Sequence, residues 1–290
     1  MNGSLRTILH SLNTFATHLM PPIVSAFIVA IAVLISLPVH AGQVAVRFPE
    51  GVSHGFLLVR SLAGEIIGQG EVTQVVKKDD LVENQLVFRF KDGSLHDEKV
   101  AFSQQRVFTL ISYSLIQRGP SFPDQTDVSI DRGTGEYKVR QAREDGKEQV
   151  LTGKFDLPKD AYNGMLTTLL KNLQTGSDET VSLLVFSPEP QAIKLQLLAK
   201  GEQTVHLGEA SSKAIHYVFN PEIGVIRRLI GKATGKLPAH FHYNCWILAD
   251  EVPSFVKFEG PLQLMGPIMQ IELVSPRLPS KLEVEKHSPK

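Results

Sequence analysis

The chain has 290 residues, 42% of them hydrophobic and 21% charged, and its 30 Lys+Arg balance 30 Asp+Glu for a formal net charge of zero. That is an ordinary globular composition, and the lack of a basic excess excludes a nucleic-acid binder that relies on overall charge. The single cysteine, Cys245, excludes an internal disulfide.

Residues 1–41 differ from the rest. Arg6 is their only Lys or Arg, and no acid appears before Glu50. The run 23–37 is apolar apart from Ser25 and Ser36, and Pro38 and Val39-His40-Ala41 follow it. A charged n-region, an apolar h-region and a small residue at the cut predict a secretory signal peptide over 1–41, cleaved after Ala41. The mature chain is then exported, to the periplasm. The apolar run is about 15 residues where a membrane span needs about 20, and an uncleaved anchor is the alternative. No Cys follows the run, so lipid attachment at a lipobox is not indicated. An exported chain with one thiol must rely on its core, and Cys245 reads as a small buried apolar residue.

The mature region reads mostly as strands. Segments 43–48, 56–60 and 65–77 come first, with Gly68 and Gly70 marking a bulge or bend in the third. Segments 85–90 and 95–102 form a hairpin around Asp92-Gly93. The stretch 106–118 (RVFTLISYSLIQR) is the longest strand, about 43 Å if extended, and must twist and curl. Simple alternation puts Val107, Ile111, Tyr113 and Leu115 on one face and Phe108, Leu110 and Ile116 on the other, a strand covered on both sides. A second hairpin spans 127–131 and 136–143. Its second arm is polar (Lys138, Arg140, Gln141, Arg143) and reads as a solvated sheet edge.

After a strand at 148–155 comes LPKDAYNGMLTTLLKNLQT, residues 157–175, which predicts a central helix over 158–174. Pro158 suits a first turn and Asp160 an N-cap. Tyr162, Met165, Leu166, Leu169, Leu170 and Leu173 recur at spacings of three and four and share one face. Gly164 costs about 1 kcal/mol inside a helix and reads either as close approach of another backbone or as a simple weak spot. Strands follow at 180–186, 191–199, 203–207, 213–219, 241–248, 255–258 and 268–274, with a turn expected at Gly201-Glu202. Many short strands separated by Gly, Pro and Asp turns argue a meander. Residues 277–290 read as a disordered tail, leaving 42–276 as a single β-rich domain.

The motifs are weak. Gly51-Val52-Ser53-His54-Gly55 matches G-x-S-x-G but lies just past the signal and precedes FLLVR, which reads as strand where a nucleophile elbow needs a helix. The run 231–236 falls one residue short of a phosphate loop. His240 and His242 lie two apart on a predicted strand and share a face, so both could meet one metal, with His206 or His216 as third ligand. The bland reading is two polar histidines at a strand start. The segment 224–236 (GVIRRLIGKATGK) carries Arg227, Arg228, Lys232 and Lys236 without an acid. It reads as a contact with anionic lipid head groups or as an ordinary basic loop.

The phrases GPSFPDQ, DAYNGMLTTLLKNL, VPSFVKFEGPL and GPIMQIELVSP together make the chain, from about residue 64 to 276, resemble a group of uncharacterised exported bacterial β-rich proteins. The resemblance brings no catalytic residues with it. More loosely, a signal peptide, a long curled antiparallel sheet and an internal helix are similar to the periplasmic lipoprotein-carrier architecture. That likeness implies a half-barrel whose concave apolar face holds lipid beside a helix.

The expected fold is therefore mainly β: a long, curved antiparallel sheet, half-barrel or open barrel, wrapping one central α-helix after an N-terminal signal helix. The expected function is non-enzymatic binding or carriage of an apolar ligand, a lipid or acyl chain, in the sheet–helix cavity. Met165, Leu166, Leu169, Leu170, Leu173, Ile111 and Tyr113 are the candidate lining. No cofactor, metal or nucleic-acid partner is expected. Two alternatives stay open: an envelope interaction or assembly protein with a filled core, and a metal-dependent hydrolase using His240 and His242.

Overall fold

Alternating apolar and polar residues between turn-forming Gly, Pro and Asp build strands, and the computed structural model contains fourteen among its described residues, 42–142, 148–174, 177–207, 210–222, 224, 243–263 and 266–274. Expectations placed on 1–41, on the tail 277–290, on His240 and His242, and on Arg227, Arg228, Lys232 and Lys236 lie outside them.

The first eight strands are β1 (Ser53–Ser61), β2 (Ile66–Val76), β3 (Leu81–Phe90), β4 (Leu95–Gln104), β5 (Phe108–Arg118), β6 (Gln125–Asp131), β7 (Glu136–Ala142) and β8 (Glu148–Lys154). The last six are β9 (Glu179–Phe186), β10 (Pro190–Leu207), β11 (Ala210–Pro221), β12 (Asn244–Leu248), β13 (Phe255–Gly260) and β14 (Met269–Val274). One sheet holds them all, in the order β8-β7-β6-β5-β4-β3-β2-β1-β14-β13-β12-β11-β10-β9. Two antiparallel meanders meet where β1 pairs with β14, Phe56 opposite Val274. The two sheet edges, β8 and β9, are consecutive in sequence, and the segment between them carries the helix α1 (Leu166–Asn172). No ladder joins β8 to β9 among the described residues. Gln141 Nε2 donates to the Phe186 carbonyl (3.3 Å), and the Tyr113 and Phe186 rings stack 6.4 Å apart. The sheet is thus long, curved and open, with a single α-helix lying wholly among the described residues.

The helix is shorter than its leucine periodicity predicts, because residues 157–165 are not helical. Gly164 has φ +71°, where an added Cβ would lie 3.2 Å from Val100 Cβ. The polar side chains before it bond to neighbours instead of capping a helix. Asp160 Oδ2 accepts from Ser182 Oγ (3.0 Å) and from Lys194 Nζ (2.6 Å). Asn163 donates to the Leu184 carbonyl (2.9 Å) and accepts from the Leu184 amide (2.7 Å), as a strand would. Ala161 forms a parallel bridge with Ser182, and Arg132 donates to the carbonyls of Leu110, Leu157 and Pro158. Residues 157–165 therefore run along β9 and deliver the chain to α1 inside the curved sheet.

Four further readings change. Residues 43–48 make only the bridge Ala45–Val107 instead of a strand. Gly201 belongs to a bulge within β10, between Ala199 and Glu202, and not to a turn. The arm 136–142 is not the sheet edge, since β8 pairs with it, Arg140 and Glu148 meeting at 2.7 Å. In β5, the register shifts so that Ala101 faces Ser112 while Phe102 faces Leu110, which skips Ile111. That bulge reverses the alternation. Phe108 and Leu110 before it and Tyr113 after it join the same buried cluster, and the two-faced pattern read from the sequence does not form.

The core has two clusters. The larger packs Tyr162, Met165, Leu169 and Leu170 against strands of both meanders. The smaller gathers Leu57, Val59, Phe88, Phe90, Phe122 and Ile271. Gly70 permits the second, since a Cβ there would sit 2.3 Å from Phe88 Cδ1.

Candidate functional site: a cavity between helix and sheet

A cavity of about 490 Å³ lies between α1 and the sheet, with walls drawn from both clusters. This volume falls within the roughly 300–1,000 Å³ of small-molecule sites. The helix side presents Asn163, Gly164, Leu166, Thr167, Thr168 and Lys171. The sheet side is mostly apolar, with Leu57, Phe88, Leu195, Phe219, Phe258 and Ile271 among its residues.

The seven candidate lining residues separate. Leu166 lines the cavity and is only partly buried. Met165 and Leu169 (both 0% exposed), Leu170 (2%) and Leu173 (7%) fill the larger cluster on the other side of α1. Tyr113 is buried and is not among the lining residues, though its hydroxyl donates to the lining residue Glu98 at Oε1 (2.9 Å). Ile111, the skipped residue of the bulge, is not among the lining residues. One apolar helix stripe therefore divides between packing and cavity, because a seven-residue helix cannot turn all its leucines toward one space.

The polar groups of the cavity fall into two sets. At one end, Glu50 pairs with Lys171 and accepts from Gln74 Nε2 (3.0 Å), and Asn84 donates to Gln74 Oε1 (3.1 Å). The Glu50 carboxylate and the Lys171 ammonium thus compensate each other, which makes burial of the carboxylate tolerable. The Glu50 backbone is clamped by Gln104, which accepts from its amide (2.6 Å) and donates to its carbonyl (3.0 Å).

The second set comes from β4. His96, Glu98 and Val100 point inward at period two. Burial raises the Glu98 carboxyl above its usual range, an effect the Tyr113 hydrogen bond opposes. Burial lowers the His96 imidazole to about 4, so it is neutral at pH 7. Gln117 Nε2 donates to the Leu262 carbonyl (3.0 Å), which identifies it as the amide nitrogen, and the same nitrogen lies 3.1 Å from His96 Nδ1. His96 Nδ1 is therefore an acceptor and the ring proton sits on Nε2. That Nε2 is buried without a hydrogen-bond partner among the described residues, and the imidazole centroid lies 5.6 and 6.2 Å from those of the Phe88 and Phe122 rings.

Cys245 also lines the cavity, fully buried, and burial pushes its thiol well up, so it is no thiolate nucleophile. Sequence reading passed over His96 and Glu98, since LHDEKVAF looks solvated. The alternation of Val100 with Phe102, carried back two steps, would have found both. Glu50 has no such signal, because no regular element holds it.

Among the described residues no cluster of three or more His, Cys, Asp or Glu is placed to hold a metal. No protein-family model matches the chain, and no curated protein matches it. Among solved structures it is similar to a β-barrel-like protein of domain of unknown function DUF1849 from Brucella abortus, with 8% identity and a TM-score of 0.41 over 78% of this chain and 96% of that one.

Proposed function

We propose that this is an exported, periplasmic protein that binds or carries an apolar ligand, a lipid or acyl chain, in the cavity between α1 and the sheet. The observation that carries the reading is the cavity itself: about 490 Å³, largely apolar, inside an open curved sheet, with a few polar groups at fixed positions. The likeness to lipoprotein carriers read from the sequence belongs to the same proposal, as does docking on anionic membrane through Arg227, Arg228, Lys232 and Lys236. Two experiments test it. Mass spectrometry of organic extracts of the natively purified protein is expected to find an amphiphile, and Leu166→Asp is expected to lose it by placing a charge in the apolar wall. Clean extracts from the wild type would refute the reading. Export is tested by the N-terminus of the periplasmic form, expected at Gly42. An intact N-terminal segment on a membrane-bound protein would overturn it.

A further inference from the structure

The charged groups of the cavity limit what its ligand can carry. Lys171 is the only lysine or arginine among the described lining residues, and Glu50 holds it. Among the described residues no cation pairs with Glu98, whose one side-chain bond is the Tyr113 hydroxyl on Oε1. Glu98 keeps accessible surface, and the space it meets is the cavity it lines. It lies against the start of α1, where a Cβ on Gly164 would stand 3.5 Å from Glu98 Cδ. The remaining titratable group of this wall, His96, is fixed by Gln117 as a neutral ring.

We infer that the ligand presents an uncharged, hydroxyl-bearing polar end to Glu98, as a long-chain alcohol or a monoacylglycerol does, and that the cavity excludes anionic amphiphiles such as fatty-acid carboxylates. A hydroxyl fits Glu98 in either protonation state: it donates to a carboxylate oxygen and accepts from a carboxylic acid. A ligand carboxylate would meet a like charge, or a neutral acid, with no free cation among the described lining residues, in a site that strips it of water. Thr167 is an exposed residue of the same lining, so the cavity has an aqueous flank on its helix side while Leu166 and the apolar wall can hold a chain.

This inference rests on the ligand-cavity reading, and the test separates the two. A neutral, environment-sensitive naphthylamine dye is bound to the full mature protein at pH 8 and displaced with monododecanoylglycerol or with dodecanoate. Wild type is expected to release dye to the glycerol ester. Glu98→Gln, which can still accept from Tyr113, is expected to improve dodecanoate displacement about tenfold or more relative to the ester. Thr167→Lys, at an exposed position that does not endanger folding, is expected to move dodecanoate the same way by supplying a cation. Unchanged dodecanoate affinity in both variants overturns the inference. So does dye that binds but is displaced by dodecanoate and not by the ester. Wild type that binds no dye overturns the cavity reading itself, and this inference with it.

Discussion

His96 makes the stability of this protein depend on pH in a way that can be worked out in advance. Its imidazole is 4% exposed and titrates at about 4 folded, against 6.5 for an ordinary histidine, because burial penalises the cation. Above pH 6.5 both folded and unfolded states hold it neutral, so it adds no pH dependence there. As the pH falls through 6.5, the unfolded chain takes up a proton that the folded chain refuses, and stability declines until about pH 4. Each unit of difference is about 1.4 kcal/mol, so the full loss is about 3 kcal/mol, of which about 2 kcal/mol has gone by pH 5. Glu98 works in the opposite direction, since its raised pKa makes the folded state the better proton acceptor as the pH drops. Urea unfolding of wild type and of His96→Asn, at pH 7.5 and pH 5, separates the two. Asn can accept from Gln117 in place of Nδ1 but does not titrate. Wild type is expected to lose about 2 kcal/mol more than the variant over this interval, whatever the variant's absolute stability. Parallel losses would refute the claim that His96 is held neutral by burial.

The two sides of α1 should respond differently to truncation. Leu169→Ala, in solid core, is expected to cost about 3–5 kcal/mol because transfer and cavity terms add. Leu166→Ala, beside space that already exists, should cost about 1–2 kcal/mol. Equal losses in urea unfolding would mean the space beside Leu166 is not there. Gly164→Ala should cost about 1–3 kcal/mol from positive φ and from contact with Val100, read as a drop in melting temperature. An unchanged melting temperature would show that the turn into α1 relaxes freely.

The long antiparallel sheet was legible because period-two alternation is a local signal, repeated at the hairpin through Asp92-Gly93 and along β10. The helix was legible in place but not in length. Leucine spacing reports which residues are buried, and Tyr162 and Met165 are buried as that spacing predicts, yet they lie outside the helix that Gly164 starts late. Ile111 was misplaced because one skipped residue in β5 inverts the faces of everything beyond it, and nothing in RVFTLISYSLIQR marks where the skip falls. The ion pair of Glu50 with Lys171 joins an irregular segment to a helix across the cavity, a relation that no local pattern encodes. The meeting of β1 with β14 is equally nonlocal, being set by the closure of two meanders and not by the composition of either strand.

That meeting has a kinetic consequence. The seam at the middle of the sheet joins the first strand to the last, while the sheet's outer margins are neighbours in sequence. Each meander can zip from hairpin to hairpin, but the seam must bring Phe56 to Val274 across nearly the whole domain, a large loss of chain entropy before any contact repays it. Among the described strands β14 is also the last in the chain. Until it pairs, β1 is an open margin at what will become the centre, with Leu57 and Val59 uncovered, and the cavity lacks the wall that Ile271 supplies. The centre of the sheet and the Ile271 wall of the cavity are therefore completed only once β14 joins β1.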